Sequence, residues 1–200
     1  MVKQNNDLIK AMKDYAEENN VPIMSDEGIS FLTNYITKNK IKRILEIGTA
    51  IAYSSIMMAY TDDDVEVTTI ERDEKRFLEA IKNVKKAELE DRINLIYNDA
   101  LEVKIEGDYD LIFIDAAKAQ NIKFFEKFKD NLIPGGVIIT DNMKFHGLVD
   151  KKEEEIESRN LRQLVRKIKE YKNFLDTNKE FDTTFKDIGD GLAISIDKKN

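Results

Sequence analysis

The side chains best suited to chemistry in this sequence come directly after apolar runs, where strands would end. Asp115 follows the run LIFI, and Asp141 and Asn142 follow the run VIIT. Carboxylate and amide oxygens are the ligands that Mg²⁺ and Ca²⁺ prefer, whereas zinc favours cysteine and histidine. The sequence has no cysteine, and His146 is its only histidine. We therefore predict a site for Mg²⁺ or another divalent cation at these two aspartates and the asparagine. Taken singly, each could instead cap a turn or a helix.

A glycine turn is the second candidate for chemistry. The segment ILEIGTAIAYSS passes from an apolar run through Gly48 into small residues and a further apolar stretch, which is typical of a strand, a tight turn and a helix. It lacks the later glycines of a dinucleotide-binding loop and the Gly-Lys-Ser/Thr ending of a P-loop. Glu46 before the turn favours a cationic ligand, and Glu71 at the end of the next apolar run could accept hydrogen bonds from a ribose.

S-adenosylmethionine is a ligand with those properties, because it carries an ammonium, a sulfonium and a ribose. Tyr53 and Ser54 come just past the glycine turn, close enough to contact its methionine part. Tyr53 could equally belong to the core.

Apolar runs that alternate with helical patterns must position these residues. Strands are predicted at residues 43–47, 65–70, 93–97, 110–114 and 137–140, with helices between them at 53–60, 73–86 and 119–131. This alternation indicates an α/β fold with a parallel sheet and right-handed crossovers. A last helix is predicted at 154–178. Two further apolar runs, 181–188 and 192–196, flank Gly189-Asp190-Gly191, which predicts an antiparallel hairpin.

The N-terminal region has two helical patterns and no strand. We expect these helices, within residues 1–40, to cover the ligand edge of the sheet, and residues 41–200 to form the core of the same domain. A length of 200 residues suits one domain and is short for two of ordinary size.

Five segments, LEIGTAIAYSS, TTIERD, YNDALE, FIDAAKAQ and ITDN, occur in an order and spacing that can be compared with known families. With them the chain resembles the class I S-adenosylmethionine-dependent O-methyltransferases of the catechol and caffeoyl-CoA type. Within that group the chain most closely resembles the bacterial tRNA 5-hydroxyuridine methyltransferases, which share with it the segments SRNLRQ and DGLAISI. The resemblance covers nearly the whole chain and implies a Rossmann-like, mostly parallel seven-stranded sheet. Ala52 departs from it, since relatives usually have a second glycine there, so we expect a slightly wider loop.

The resemblance also implies roles for individual residues. Asp115, Asp141 and Asn142 would hold a divalent cation that grips the acceptor oxygen, with Asp115 also beside the cofactor and the reacting groups. A bound cation favours the anion of the acceptor and the neutral form of a neighbouring amine, so Lys118 would be the general base. It could also be one of many surface lysines.

Four more residues have roles implied in the same way. Asp99 and Ala100 match the place where relatives contact the adenine amino group, for which an aspartate is a suitable acceptor. Met24 would lie against the cofactor, or else pack only between helices. His146 could line the acceptor pocket, although lone histidines are more often structural.

Basic residues cluster in the predicted last helix and in the loop before it. They form a helical stripe at Arg159, Arg162, Arg166 and Lys169, preceded in the loop by Lys144, Lys151 and Lys152. Phosphates held there could present a base to the site, with modest and salt-dependent affinity. The alternative is a solvated helix face whose arginines pair with neighbouring glutamates.

Three functions therefore remain open. Resemblance favours methylation of 5-hydroxyuridine at the wobble position of tRNA, whose anticodon loop leaves its bases unpaired. A small-molecule O-methyltransferase acting on catechols or CoA-linked phenols would use the same cation and lysine. The third possibility is a non-catalytic protein that binds S-adenosylmethionine.

Composition sets the remaining expectations. Apolar runs are too short to span a membrane, the first helix is amphipathic, and the lack of cysteine excludes disulfides, so a cytoplasmic protein is the default. A net charge of -7 argues mildly against extensive nucleic-acid binding without excluding a basic patch. The resemblance implies a homodimer, with the N-terminal helices as candidates for its interface.

Overall fold

One sheet of seven strands organises the chain, which the computed structural model describes over residues 2–199, with side chains from residue 6 onward. The strands are β1 Arg43–Ile47, β2 Glu66–Glu71, β3 Ile93–Tyr97, β4 Tyr109–Ile114, β5 Leu132–Thr140, β6 Phe181–Lys186 and β7 Leu192–Asp197. Their order across the sheet is β3-β2-β1-β4-β5-β7-β6. The first five strands are parallel, and β7 runs antiparallel to both β5 and β6. This confirms the predicted Rossmann-like sheet with an antiparallel hairpin.

Helices connect the strands and cover both faces. Within the same residues they are α1 Val2–Glu18, α2 Asp26–Asn39, α3 Tyr53–Ala59, α4 Glu74–Lys86, α5 Asn121–Phe128 and α6 Arg159–Asp176. Three of them begin at side-chain caps, because the hydroxyl of Ser25, the carboxylate of Asp73 and the hydroxyl of Ser158 each accept a backbone N–H of the first turn.

Successive side chains of each strand point to opposite faces of the sheet, so the core has two layers. In β4, Leu111 and Phe113 pack with residues of α1 to α4, whereas Ile112 and Ile114 pack against the aromatic residues of α5 and α6. Because both faces are covered, central strands such as β4 are apolar at nearly every position.

Two predicted elements differ most from the structure in where they begin. The last helix begins at Arg159 and not at 154, because Ser158 caps it and Glu153–Glu155 forms a separate 3₁₀ turn. Strand β5 begins at Leu132 and not at 137. Its first part is irregular, because the register with β4 shifts between Tyr109 and Leu111, and Gly135 has a positive φ of 74°.

Candidate active site

The carboxyl ends of the five parallel strands meet at one cleft of about 580 Å³. The sequence predicted that the residues at these ends would converge, and the structure brings most of them together. The predicted residues that line the cleft are Met24, Gly48, Tyr53, Ser54, Glu71, Asp99, Ala100, Asp115, Lys118, Asp141, Asn142 and His146. Their binding roles stay predictions.

Gly48 is where the first strand end passes closest to another part of the backbone. Its φ is +104°, and a Cβ built on it would lie 2.2 Å from the carbonyl oxygen of Asp115. The loop that follows makes a tight turn, in which the N–H of Ala52 donates to the carbonyl of Thr49 at 2.8 Å and Ala52 itself has a φ of 66°. A position with that φ favours glycine, so Ala52 occupies it at some conformational cost.

The carboxylate of Glu71 is fixed at the end of β2 by backbone donors. The N–H of Ala50 donates to its Oε2 at 2.8 Å, and the N–H groups of Arg72 and Asp73 donate to Oε1 at 2.9 and 2.8 Å. Three such hydrogen bonds hold the side chain of Glu71 in one orientation beside the cleft. It is therefore able to accept further hydrogen bonds from a vicinal diol such as that of a ribose.

Asp99 occupies the equivalent place after β3. The backbone N–H of Leu101 and the guanidinium of Arg72 lower the pKa of Asp99, so its carboxylate is an acceptor at neutral pH. An acceptor here fits an exocyclic amino group of a base.

Glu46 does not line the cleft, contrary to the direct ligand contact that we predicted. Its side chain points inward from β1 and is fully buried, and the hydroxyls of Ser54, Ser55 and Thr69 donate to it. Burial raises the pKa of Glu46 to about 7, although these hydroxyl donors act in the opposite direction. Because the hydroxyl of Ser54 donates inward, its oxygen is left as an acceptor at the cleft, where an ammonium could donate to it.

The two carboxylates of the predicted cation site come from neighbouring strands. The N–H of Asp115 donates to Ile47 at 3.0 Å and the N–H of Asp141 donates to Ile114 at 3.1 Å, so each residue continues a parallel ladder into the cleft. Asp141 is buried, and burial together with the charge of Asp115 raises its pKa above the ordinary value. A bound divalent cation would relieve this repulsion, so the charges present fit such an ion.

The third predicted ligand, Asn142, lies in the left-handed region with a φ of 62° and has its side-chain nitrogen 3.4 Å from Asp190. The donor set is two carboxylates and one amide, which suits Mg²⁺ or Ca²⁺. Among the residues that the structure describes, no three Asp, Glu, His or Cys side chains are grouped as ligands for a metal. A cation would therefore need water or acceptor oxygens to complete its coordination.

Lys118 lies beside the first of these carboxylates. Its ammonium donates to Oδ1 of Asp115 at 2.7 Å, and both side chains are mostly buried, with 15% and 21% exposure. The hydrogen bond fixes the amine at the entrance to the strand ends, next to the place where an acceptor hydroxyl would bind.

The loop of residues 141–147, called here the ligand loop because it carries two of the predicted cation ligands, lines one side of the cleft. The rings of Phe145 and His146 are 5.5 Å apart, and the side chain of His146 is 80% exposed. Leu164 of α6 completes this side. The sequence analysis did not identify Phe145 or Leu164, and the adjacency of Phe145 to His146 was the only available signal.

Three predicted substrate-binding residues do not line the cleft. Lys144 pairs with Asp187. Arg162 donates to the carbonyls of Ile156 and Glu157 at 2.5 and 3.1 Å, because the helix begins at Arg159 and its first turn folds back onto the preceding chain.

Arg159 is exposed at the start of α6, and Arg166, a further residue of the predicted stripe, pairs with Glu153. Part of the stripe is therefore engaged within the protein, as the solvated-face alternative predicted.

Known proteins resemble this chain in sequence. A family model described as "O-methyltransferase" matches residues 2–198. A caffeoyl-CoA O-methyltransferase of Populus kitakamiensis is 28% identical over 190 residues, covering 91% of this chain and 80% of its own.

Solved structures show the same likeness. A Staphylococcus aureus protein described as a candidate caffeoyl-CoA O-methyltransferase is 42% identical, with a TM-score of 0.90 over 94% of this chain and 91% of its own. The O-methyltransferase of Bacillus cereus in complex with SAH is 26% identical, with a TM-score of 0.82 over 96% and 91%. Separately, no helix in residues 2–199 has the length and apolar character needed to cross a bilayer.

Proposed function

Since the chain belongs to the O-methyltransferase family, we propose that it methylates the 5-hydroxyl of the wobble uridine of tRNA to 5-methoxyuridine, using S-adenosylmethionine and Mg²⁺. The observation that carries the chemistry is the grouping of Lys118, Asp115 and Asp141 at adjacent strand ends in one cleft. An amine and two carboxylates beside a binding cleft suit deprotonation of a hydroxyl.

The cofactor end of the cleft is built from β1, β2 and β3. S-adenosylmethionine supplies the methyl group when it is bound. Glu71 would accept hydrogen bonds from its ribose, Asp99 from its adenine amino group and Ser54 from its ammonium, since each presents an acceptor to the cleft. These contacts would orient the methyl group toward the ligand loop.

The acceptor end is built from β4, β5 and the ligand loop. Asp115, Asp141 and Asn142 would hold the cation, which when bound favours the ionised form of a neighbouring hydroxyl. Asp115 holds Nζ of Lys118 in place. In the neutral form, which the charge of the bound cation would favour, Nζ would take the proton that the acceptor hydroxyl loses. Most of the remaining rate acceleration would come from holding the acceptor oxygen in line with the methyl group.

A nucleotide acceptor is supported by the acceptor side of the cleft. Phe145 and the exposed His146 offer rings on which an unpaired base could stack. Exposed Lys151, Lys152 and Arg159 lie in the chain that follows the ligand loop, where phosphates would pass. Because the net charge is -7, we expect affinity for tRNA to be modest and to fall steeply with salt. A tRNA substrate would place the enzyme in the cytoplasm.

A small phenol is the second candidate acceptor. Two of the curated relatives are described as a caffeoyl-CoA O-methyltransferase and a flavonoid 3',5'-methyltransferase. The same lysine and carboxylates would serve a catechol, so only the acceptor separates the two functions. Membership of the family favours an enzyme over the non-catalytic protein that the sequence also allowed.

One incubation distinguishes the acceptors. The protein is supplied with labelled S-adenosylmethionine, Mg²⁺ and either tRNA that carries 5-hydroxyuridine or a panel of catechols and CoA-linked phenols. We expect label in tRNA at the wobble uridine, lost on addition of EDTA and restored by Mg²⁺. Label on a phenol alone would replace the tRNA proposal by the second candidate. Label on neither, with cofactor bound, would contradict both acceptors.

We also propose a homodimer that uses the N-terminal helices α1 and α2. Light scattering of the full chain tests this, and a monomeric mass at micromolar concentration would contradict it.

A further inference from the structure

Besides the pair of Lys144 with Asp187, the turn between β6 and β7 holds the ligand loop through four hydrogen bonds made by Asp190 and Gly191. Two are backbone bonds, from the N–H of Met143 to Gly191 at 2.9 Å and from the N–H of Lys144 to Asp190 at 2.8 Å. The other two reach the carboxylate of Asp190. The N–H of His146 donates to its Oδ1 at 2.5 Å, and Nδ2 of Asn142 donates to its Oδ2 at 3.4 Å. The side chain of Asp190 is only 16% exposed, so these contacts are largely shielded from water.

The contact with Asn142 decides which end of the amide faces the cleft. An ionised carboxylate can only accept hydrogen bonds, so it attracts the amide nitrogen and repels the amide oxygen. With its nitrogen turned to Asp190, Asn142 has its oxygen turned away from it, and the residue lines the cleft beside Asp141. The oxygen is the only atom of a neutral amide that can bind a hard cation.

The second contact supports the backbone of the same loop. Asn142, Phe145 and His146 all have positive φ values, of 62°, 46° and 55°, which non-glycine residues adopt infrequently. Because the N–H of His146 donates to the carboxylate of Asp190, this loop conformation is tied to the hairpin turn. One carboxylate therefore touches both the amide at the cation end and the backbone at the acceptor end of the loop.

From these contacts we propose that Asp190 is a positioning residue, which orients the Asn142 amide so that its oxygen binds the divalent cation. The inference rests on the proposed function, because it takes the cation site at Asp115, Asp141 and Asn142 as given. It adds a residue on another element, 48 positions along the chain from Asn142, that the cation itself does not contact.

The test uses substitutions that preserve shape. Asp190→Asn keeps an oxygen for the His146 N–H but places a donor opposite Asn142, so we expect the Asn142 amide to turn over and present its nitrogen to the cleft. Binding of Mn²⁺ to the full chain, followed by electron paramagnetic resonance without acceptor, should weaken by about 10-fold or more. Binding of S-adenosylmethionine, measured by calorimetry, should stay within about 2-fold and reports that the variant is folded.

A swap separates orientation from general support. In the double variant Asp190→Asn with Asn142→Asp, the new amide donates to the new carboxylate, whose second oxygen can bind Mn²⁺, and the net charge is that of the wild type. We expect the double variant to bind Mn²⁺ at least about 3-fold more tightly than Asp190→Asn alone. Asn142→Asp should also increase Mn²⁺ affinity more in the Asp190→Asn background than in the wild type. Only in that background does residue 190 present a hydrogen-bond donor to residue 142.

Asp187→Asn is the matched control. Asp187 lies in the same turn and pairs with Lys144, but its carboxylate is exposed. Among the described residues it forms no hydrogen bond or ion pair with Asn142 or His146. It removes the same charge from the same turn, and we expect Mn²⁺ affinity to change by less than about 2-fold.

The outcomes assign failure to one proposal or the other. A wild-type chain that binds no Mn²⁺ would overturn the cation site of the proposed function and this inference with it. A wild type that binds Mn²⁺ while Asp190→Asn binds equally well would overturn only the role of Asp190. A swap no better than Asp190→Asn would do the same. The identity of the methyl acceptor affects none of these measurements.

Discussion

The α-carbon of Gly48 faces the backbone carbonyl of Asp115 so closely that an added Cβ would lie 2.2 Å from the carbonyl oxygen. Gly48 directly follows β1, and Asp115, the first predicted cation ligand, directly follows the neighbouring strand β4. The absence of one side chain therefore lets the two halves of the site approach each other.

Gly48→Ala should destabilise the protein strongly. Its φ of +104° strains any side chain, and the clash is with backbone, which cannot rotate away. The control is Gly107→Ala, since Gly107 has a φ of +98° and nothing within 4 Å of an added Cβ. We expect Gly107→Ala to lower the free energy of unfolding by about 1 to 2 kcal/mol, and Gly48→Ala to lower it by at least about 2 kcal/mol more. Urea unfolding measures both losses. Equal losses would show that the backbone at Asp115 moves aside.

Lys118→Ala should abolish turnover while cofactor binding remains. The ammonium of Lys118 touches Asp115 at the acceptor end, away from the residues predicted to bind adenine and ribose. A general base contributes about 10² to 10⁴ in rate, so kcat should fall by at least about 100-fold. Lys123→Ala, on the exposed face of α5, is the control and should keep wild-type kcat. A Lys118→Ala variant with an unchanged rate would refute the assigned role.

Glu46 should make the stability of the protein depend on pH. Burial raises its pKa to about 7 from an ordinary value of 4.5. Between these values the folded chain binds a proton that the unfolded chain has released, so the free energy of unfolding falls as the pH rises. The shift of about 2.5 pH units corresponds to a loss on the order of 3 kcal/mol, complete above pH 7.

Glu46→Gln tests that pH dependence, because the amide does not titrate and can still accept from the surrounding hydroxyls. The free energy of unfolding of the variant should fall less than that of the wild type between pH 4.5 and 7, as measured by chemical denaturation at several pH values. Glu66→Gln, at an exposed carboxylate of β2, should follow the wild-type curve. Parallel curves for Glu46→Gln and the wild type would contradict the raised pKa.

Tyr171→Phe should destabilise the protein at the end of β5, next to the predicted cation ligand Asp141. The hydroxyls of Tyr171 and Thr140 are 2.8 Å apart in the core, and Thr140 directly precedes Asp141. Removing one partner leaves the other unsatisfied, which costs about 1 to 3 kcal/mol. Thermal unfolding measures this loss. Tyr97→Phe, at a ring that is 52% exposed, is the control and should cost less than about 0.5 kcal/mol. A loss as small as that of the control would show that Thr140 finds another partner.

Much of the fold could be predicted because the parallel strands are buried on both faces. The run LIFI of β4 is apolar for that reason, and the turn Gly189-Asp190-Gly191 indicated the hairpin that the structure confirms. The start of β5 could not be predicted from the same signal. Pro134, Gly135 and Gly136 interrupt its apolar pattern, and the irregular pairing with β4 that accommodates them depends on tertiary contacts.

The candidate site could be predicted where residues lie at strand ends, since topology brings those ends together. The positions of Glu46 and Asp190 could not be predicted in this way. The acidity of Glu46 indicates a charge near the turn, but only the pleat of β1 decides that it points away from the cleft. Asp190 was visible only as a turn residue, because its contact with Asn142 joins segments that are far apart along the chain.

The placement of β7 between β5 and β6 has a consequence for synthesis on the ribosome. β6 emerges from the exit tunnel before β7, yet every hydrogen bond that joins it to the sheet is made to β7. A nascent chain that has extruded β6 must therefore hold it undocked until translation has delivered the strand that fits beside β5. Pausing or truncation within that interval would expose the edge of β5 to chaperones and to other newly made chains.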